Sequence, residues 1–120
     1  MNGVVDNSDR ALVHVRLKHP AEELEIDLNA WIDTAFSGDF VLSQQFIAKL
    51  NLPKGPIMGA VLADGSKVAI QTFSCLVWWF DEWKKAEVVA NQGEIPLLGV
   101  GLLRKRQLLI DYRVRTVAIQ

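Results

Sequence analysis

The sequence has 120 residues, which corresponds to one domain that is long enough to bury a hydrophobic core. Half of the residues are apolar and 22% are charged, a composition that excludes a disordered chain. No apolar run approaches the ~20 residues of a membrane span, and the first residues lack the pattern of a secretion signal. We therefore expect no membrane partner, and since the net charge is −1, no nucleic-acid partner either.

Few side chains are suited to binding metals or forming disulfides. Cys75 is the single cysteine, so no internal disulfide and no cysteine-based zinc site can form. Its apolar neighbours favour a buried, unreactive thiol, and together these features favour a cytoplasmic protein. His14 lies on the polar face of a predicted strand and His19 in a predicted turn. We therefore expect no metal site and no cofactor.

The charge is unevenly distributed along the chain. Residues 101–120 carry a net charge of +4, whereas residues 1–100 carry −5. Basic groups of this kind usually lie on solvated strand faces and turns. The alternative is an edge that faces a partner molecule.

The N-terminal third predicts an antiparallel hairpin. Val13, Val15 and Leu17 alternate with polar residues, and the same alternation continues after the turn, so residues 11–18 and 23–32 read as half-buried strands. The segment around Pro20 predicts the turn between them, because proline fixes φ and cannot donate to a strand ladder. Residues 1–10 are expected to form a flexible N-terminus.

One short helix follows a short predicted strand over Asp39–Leu42. Ser43 is suited to the N-cap, because its hydroxyl can accept a hydrogen bond from a free N–H group of the first turn. The apolar spacing that follows predicts a helix near residues 44–50. Asn51 can adopt the left-handed conformation at the helix end, and Pro53 prevents continuation.

The remainder of the chain is dominated by β patterns. The Asp64-Gly65 pair predicts a tight hairpin turn within residues 61–68. In a long strand that ends near Phe80, alternation should place adjacent Trp78 and Trp79 on opposite faces. The other predicted elements are a turn at Asp81-Glu82, a strand over Trp83–Ala90, a helical turn over Leu102–Arg106, and strands over Leu108–Tyr112 and Arg115–Ile119. The predicted fold is a single all-β domain over residues 1–120, a small closed β-barrel with one short helix.

Three short segments occur in an order that resembles a known family. Asp33-Thr34-Ala35 follows a predicted strand, a hairpin tip lies at Ala63-Asp64-Gly65-Ser66, and Leu97-Leu98-Gly99 precedes a helical turn. This order resembles the retropepsin-like (clan AA) aspartic proteases over about residues 11–115. Phe36 extends the likeness to the bacterial and archaeal members whose motif is Asp-Thr-Gly-Phe.

The resemblance implies a role for each segment. Asp33 matches the catalytic aspartate, Thr34 matches the hydroxyl residue that supports the catalytic loop across a dimer axis, and Ala35 stands where the family has glycine. The hairpin tip matches the flap that covers bound peptide. The segment over residues 97–99 matches the strip that crosses behind the catalytic loop, and the last strands match those that interleave between protomers.

The chemistry of such a site requires two copies of this chain. Hydrolysis of an amide by water needs a base and an acid, and two carboxylates ~3 Å apart can supply both because they share one proton. The chain has one Asp-Thr segment, so a twofold axis must supply the second Asp33. The hypothesis is an aspartic endopeptidase that acts as a homodimer on a peptide or protein substrate.

Other interpretations of the same residues stay open. Alanine at position 35 would be strained by ~1–2 kcal/mol if its φ were positive, which favours a catalytically silent dimerisation or peptide-binding module. Asp33-Thr34 can also form a simple turn, and Leu97-Leu98-Gly99 can be a core strand that ends in a turn. A third hypothesis is an unrelated monomeric β-barrel that binds a partner through its basic C-terminal segment.

Overall fold

A computed structural model describes residues 1–120 and contains ten strands and two short helices. The strands are β1 Asn2–Val5, β2 Ala11–Lys18, β3 Glu25–Ile32, β4 Phe40–Ser43, β5 Lys54–Val61, β6 Lys67–Trp79, β7 Glu82–Asn91, β8 Leu97–Leu98, β9 Leu108–Asp111 and β10 Thr116–Ile119. The helices are α1 Gln44–Lys49 and α2 Val100–Leu103. The prediction of an all-β chain with little helix is confirmed. Neither helix has the length and apolar content to cross a bilayer.

All ten strands belong to one sheet, in the order β5-β6-β7-β4-β8-β3-β2-β1-β10-β9. Strand β6 pairs a second time, with the end of β2, through Leu17 opposite Val77. Alternation along β2 directs every second side chain into the core, and Leu17 and Val77 are fully buried there. The core is therefore made of the inward faces of the strands, and the predicted β2–β3 hairpin is confirmed.

The β2–β3 turn is stabilised by the side chain of His19. Its backbone N–H donates to the carbonyl of Leu24 at 2.9 Å. Its ring Nδ1 accepts hydrogen bonds from the backbone N–H groups of Ala21 at 2.9 Å and Glu22 at 2.8 Å. An accepting Nδ1 carries no proton, so this nearly buried ring serves the turn.

Helix α1 begins and ends as its sequence predicts. Ser43 is the N-cap, and its Oγ accepts a hydrogen bond from the N–H of Phe46 at 3.3 Å. Asn51 follows the helix with φ 50°, in the left-handed region. Helix α2 begins and ends earlier than the helical turn predicted over Leu102–Arg106, because Arg104 leaves the helical conformation with ψ 135°. Lys105 then takes a left-handed φ, of 62°.

Removal of the Ser43 cap tests the contribution of α1 to stability. Ser43→Ala leaves one N–H of the first turn without its acceptor, and we expect the free energy of unfolding to fall by about 1 kcal/mol. Urea denaturation measures this change. Ser43→Asn is the matched variant, because asparagine caps as well as serine. Equal losses in the two variants would contradict the assigned cap.

The long β6–β7 hairpin agrees with the predicted alternation. Trp78 is 41% exposed and Trp79 is 3% exposed, so the two rings point to opposite faces as predicted. The turn between the strands uses Phe80 at φ 49° and Asp81 at φ 67°, one residue before the predicted position. Two positive φ values in succession are the geometry of a tight turn that matches the twist of the strands.

The N-terminus differs from the flexible segment predicted for residues 1–10. Strand β1 lies between β2 and β10 and pairs antiparallel with both. Val5 is buried, and the N–H of Val5 donates to the carbonyl of Arg115 at 3.1 Å. The partner strand β10 lies more than a hundred residues away in the chain, so no local pattern near residue 5 could indicate this pairing.

Cys75 is buried in the core, as its apolar neighbours predict. Its exposed fraction is 1%, and burial raises the pKa of the thiol to about 12. The nearby negative charge of Asp39 acts in the same direction. The thiolate is the reactive form of cysteine, so this side chain is chemically inert in the folded protein.

Candidate active site

The Asp33 loop begins where β3 ends. The N–H of Asp33 donates to the carbonyl of Leu98 at 2.9 Å, and the carbonyl of Asp33 accepts from the N–H of Phe36 at 3.2 Å. The carboxylate Oδ1 accepts from the N–H of Ala35 at 3.0 Å. The backbone on both sides of Asp33 is thus fixed, and its partly exposed carboxylate is oriented by the loop that it begins.

The strip Leu97-Leu98-Gly99 lies directly against this loop. Strand β8 is inserted between β3 and β4, with Leu98 opposite both Ile32 and Phe40. At its end, the N–H of Gly99 donates to the carbonyl of Asp39 at 2.8 Å. The structure therefore brings together the first and third of the three segments that the sequence singled out.

Gly99 is required because no side chain fits at this position. A Cβ atom built on Gly99 would lie 2.2 Å from the carbonyl oxygen of Gly38 and 2.5 Å from a ring carbon of Phe36. The N–H of the next residue, Val100, donates to the carbonyl of Phe36 at 2.8 Å. This close backbone approach fastens the far end of the Asp33 loop to the start of α2.

Ala35 fits its position without backbone strain. It is exposed, and its φ does not lie in the left-handed region where glycine would be favoured. The methyl group thus adds volume beside Asp33 without the strain that a positive φ would cause. The sequence left this φ open, and the backbone conformation of the loop decides it.

Replacement of Ala35 by glycine tests this conclusion. Since alanine is unstrained here, Ala35→Gly should lower the free energy of unfolding by up to about 1 kcal/mol, through the greater freedom of glycine in the unfolded chain. Thermal and urea denaturation give this value. A gain in stability would instead indicate that the methyl group is strained in the wild-type loop.

A cavity of about 380 Å³ opens beside Asp33, lined by Trp31, Ile32, Asp33, Thr34 and Leu97. Trp31, on β3, is 38% exposed and lines the same cavity as Asp33. Thr34 is exposed at the same opening. Trp31, Asp33 and Thr34 therefore lie around one cavity.

Trp31 and Arg10 are site features that the sequence analysis did not single out. The guanidinium carbon of Arg10 lies 5.9 Å from the centroid of the Trp31 ring, within cation–π range. Asp6 holds Arg10 in place through a 2.7 Å ion pair, and this pair lowers the pKa of Asp6. The alternation of β3 could have identified Trp31, but the approach of Arg10 depends on the turn between β1 and β2.

The hairpin tip over Ala63, Asp64, Gly65 and Ser66 forms a self-contained turn between β5 and β6. Gly65 has φ 85°, which explains glycine at this position. Asp64 Oδ1 accepts from both the N–H and the hydroxyl of Ser66, at 2.9 Å and 2.6 Å, and the hydroxyl bond is the larger cause of the lowered pKa of Asp64. Asp64 therefore stays ionised at pH values somewhat below the ordinary pKa of an aspartate. Any stabilisation from these bonds is present at neutral pH and is lost as the pH falls through the lowered value.

The β5–β6 hairpin extends away from the core. Its apolar side chains are well exposed, with Ile57 at 68% and Val61 at 69%. None of its residues lines the cavity beside Asp33. The structure therefore does not bring the second predicted segment into contact with the other two.

Two other places in the structure hold carboxylates, but neither resembles the Asp33 loop. A second cavity, of about 400 Å³, contains Asp39, Lys85 and Glu87 but none of the predicted site residues. Asp111, at the end of β9, accepts hydrogen bonds from the N–H groups of Arg113 and Val114, so it caps a turn. One chain therefore supplies one carboxylate loop of the kind that Asp33 begins.

Comparison with known proteins identifies the fold of this chain. No protein-family model and no curated protein sequence matches the chain. Among solved structures, it is similar to a retropepsin-like aspartic protease from Rickettsia conorii, with a TM-score of 0.66 and 18% identity over 99% of this chain and 88% of that one. It is also similar to the EIAV protease complexed with the inhibitor HBY-793, with a TM-score of 0.55 and 17% identity over 83% of this chain and 90% of that one. This chain therefore has the retropepsin-like fold.

Proposed function

We propose that the protein is an aspartic endopeptidase that hydrolyses peptide bonds as a homodimer. The observation that carries the proposal is the Asp33 carboxylate, which is oriented by the N–H of Ala35 and borders an open cavity, within a retropepsin-like fold. The fold similarity supports a protease because both similar structures are proteases. One fold can host many functions, so the proposed activity depends on the Asp33 loop and not on the fold alone.

The chemistry requires the Asp33 side chains of two copies to face each other. Two carboxylates ~3 Å apart cannot both ionise, so the pair holds one proton, as in other aspartic proteases. The ionised Asp33 takes a proton from water, and the water oxygen attacks the carbonyl carbon of the peptide. The protonated Asp33 of the second copy donates a hydrogen bond to the carbonyl oxygen. The intermediate then expels the amine, whose nitrogen receives a proton from the pair.

Other residues have supporting roles in this proposal. Thr34 supports the loop across the twofold axis, and Ala35 orients the carboxylate through its N–H group. Leu97, Leu98 and Gly99 hold the loop from behind. The hairpin tip over Ala63–Ser66 closes over bound peptide, where its exposed backbone groups can bond an extended chain.

The same fold can also serve a protein that does not cleave peptides. Ala35 favours this second candidate, a silent dimerisation or peptide-binding module, because its methyl group is exposed beside the carboxylate. We further propose that the domain, residues 1–120, forms a small closed barrel. The second pairing of β6, with β2, supports this description.

The proposed activity is tested with a mixed-sequence peptide library. The purified protein is incubated with the library from pH 3 to pH 8 at several protein concentrations, and the products are identified by mass spectrometry. We expect internal cleavage, with an activity per chain that rises with concentration until dimers form completely. Intact peptides at every pH and concentration, from a protein that is dimeric, would overturn the proposal and favour the silent module.

A further inference from the structure

Strand β9 ends the sheet, and its outer edge carries backbone groups that have no partner strand. Gln107 and Gln120 exchange two hydrogen bonds of 2.9 Å, so they form a hydrogen-bonded pair of the antiparallel ladder between β9 and β10. Such pairs alternate with pairs whose backbone groups point outward. The N–H and C=O groups of Leu108 and Ile110 therefore point away from β10, to the side where the sheet has no further strand.

Strand β9 has no proline, lysine or bulge, the features that protect many sheet edges. The opposite edge of the sheet, β5, contains Pro56 and an irregular register between Lys54 and Ile57. Leu109 on β9 is 61% exposed, and an added strand would cover it with the side chain placed opposite. The β9 edge is therefore suited to binding an extended peptide segment.

A basic cluster, Arg104, Lys105 and Arg106, directly precedes β9. All three residues are exposed, and none forms an ion pair with an acidic side chain. The guanidinium carbon of Arg106 lies 3.6 Å from the centroid of the Phe80 ring, so stacking holds this charge in place. The N-terminal end of the β9 edge thus carries a group of positive charges that lack acidic partners.

Charge decides between the possible occupants of this edge. The acidic residue that β9 of a second copy would bring is Asp111. Its carboxylate already accepts hydrogen bonds from the N–H groups of Arg113 and Val114, and it pairs with the Arg113 guanidinium at 3.3 Å. The β9 strand of a second copy therefore offers no free carboxylate to the basic cluster, whereas a segment with several acidic residues complements it.

We infer that the β9 edge binds an extended acidic segment of a partner protein, which adds to the sheet as a further strand. The segment runs antiparallel to β9, with an apolar residue opposite Leu109 and acidic residues at its C-terminal end, beside the basic cluster. Strand β9 lies four positions from β3 in the sheet and lines no part of the cavity beside Asp33. The inference goes beyond the proposed function and does not depend on peptide cleavage.

A fluorescent peptide of alternating threonine and valine followed by three glutamates tests the inference on the full-length protein. We expect a saturable rise in its fluorescence anisotropy, which lysines in place of the glutamates should abolish. Two further peptides carry methyl groups on one or the other set of alternate backbone nitrogens. Methylation of the set that faces β9 should weaken binding at least about tenfold, because it removes hydrogen-bond donors. The other set points away and should bind as the unmethylated peptide does.

Two substitutions in the protein test the same contacts. Lys105→Glu reverses one charge of the basic cluster and should weaken binding about fivefold at physiological salt. The matched control is Lys49→Glu, since Lys49 is also exposed but lies at the end of α1. Ile110→Pro removes an outward N–H group without breaking a bond to β10, and it should abolish binding. The methylated peptides keep the inference testable on wild-type protein if the proline variant fails to fold.

Three results would overturn the inference. Binding that both methylated peptides retain would show that charge alone attracts the probe. Unchanged binding by both Lys105→Glu and Ile110→Pro would place the peptide elsewhere on the protein. A wild-type dimer that Ile110→Pro dissociates and that does not bind the peptide would show that a second copy occupies the edge. A protein that binds the peptide at β9 but cleaves no substrate would contradict the proposed function alone.

Discussion

Asparagine at position 33 is expected to eliminate peptide cleavage. The amide has nearly the shape of the carboxylate and can still accept the hydrogen bond that Ala35 donates at 3.0 Å. It cannot take a proton from water or carry one to the scissile peptide. One acid–base group is worth about 10²–10⁴ in rate, and the substitution removes both groups of a symmetric pair. We therefore expect kcat/KM to fall by at least about 10³-fold at every pH.

The control for Asp33→Asn is the same substitution at Asp27, on the strand that leads to the Asp33 loop. Asp27 lies on the outer face of β3, and its carboxylate pairs with Arg16 at 3.0 Å. Exposed ion pairs contribute little to stability, so Asp27→Asn should retain wild-type cleavage. Equal activity of Asp33→Asn and wild type would contradict an Asp33 pair as the reaction centre. Association of the Asp33→Asn variant, measured in parallel, establishes that the loss does not come from dissociation.

Alanine at position 99 is expected to cause the largest loss of stability among the substitutions considered. The new methyl group would lie 2.2 Å from the carbonyl oxygen of Gly38 and 2.7 Å from that of Phe36. Both neighbours are backbone atoms, so the clash is relieved only if the Asp33 loop and the start of α2 move apart. Overpacking typically costs about 1–3 kcal/mol, and we expect Gly99→Ala to reach or exceed the upper value.

Urea denaturation and the cleavage assay together measure the consequences of Gly99→Ala. The matched control is Gly59→Ala on β5, where a new Cβ would have no neighbour within 4 Å. Alanine there should change the free energy of unfolding by less than about 1 kcal/mol. Because Gly99 contacts the loop that Asp33 begins, its variant should also lose activity under conditions where it remains folded. Wild-type stability of Gly99→Ala would refute the close contact between the two segments.

Local signals in the sequence determined most of the elements. Ser43 predicted the start of α1, Asp64-Gly65 predicted a hairpin tip with a positive φ, and alternation predicted opposite faces for Trp78 and Trp79. Each of these features depends on residues within a few positions, where backbone preference and side-chain capping act directly. The order of the three segments also indicated the retropepsin-like fold, which the comparison with solved structures supports.

Pairings between distant segments were decided only by the tertiary structure. The place of β1 between β2 and β10 and the approach of Arg10 to Trp31 join parts of the chain that carry no signal for one another. The family resemblance alone implied that Leu97-Leu98-Gly99 lies behind the Asp33 loop, and no local pattern in either segment indicates their contact. The same holds for the φ of Ala35, which is set by the loop that Leu98 and Gly99 fasten. A strand's own sequence specifies that it needs a partner, but the choice among partners depends on loop entropy and on packing of the whole core.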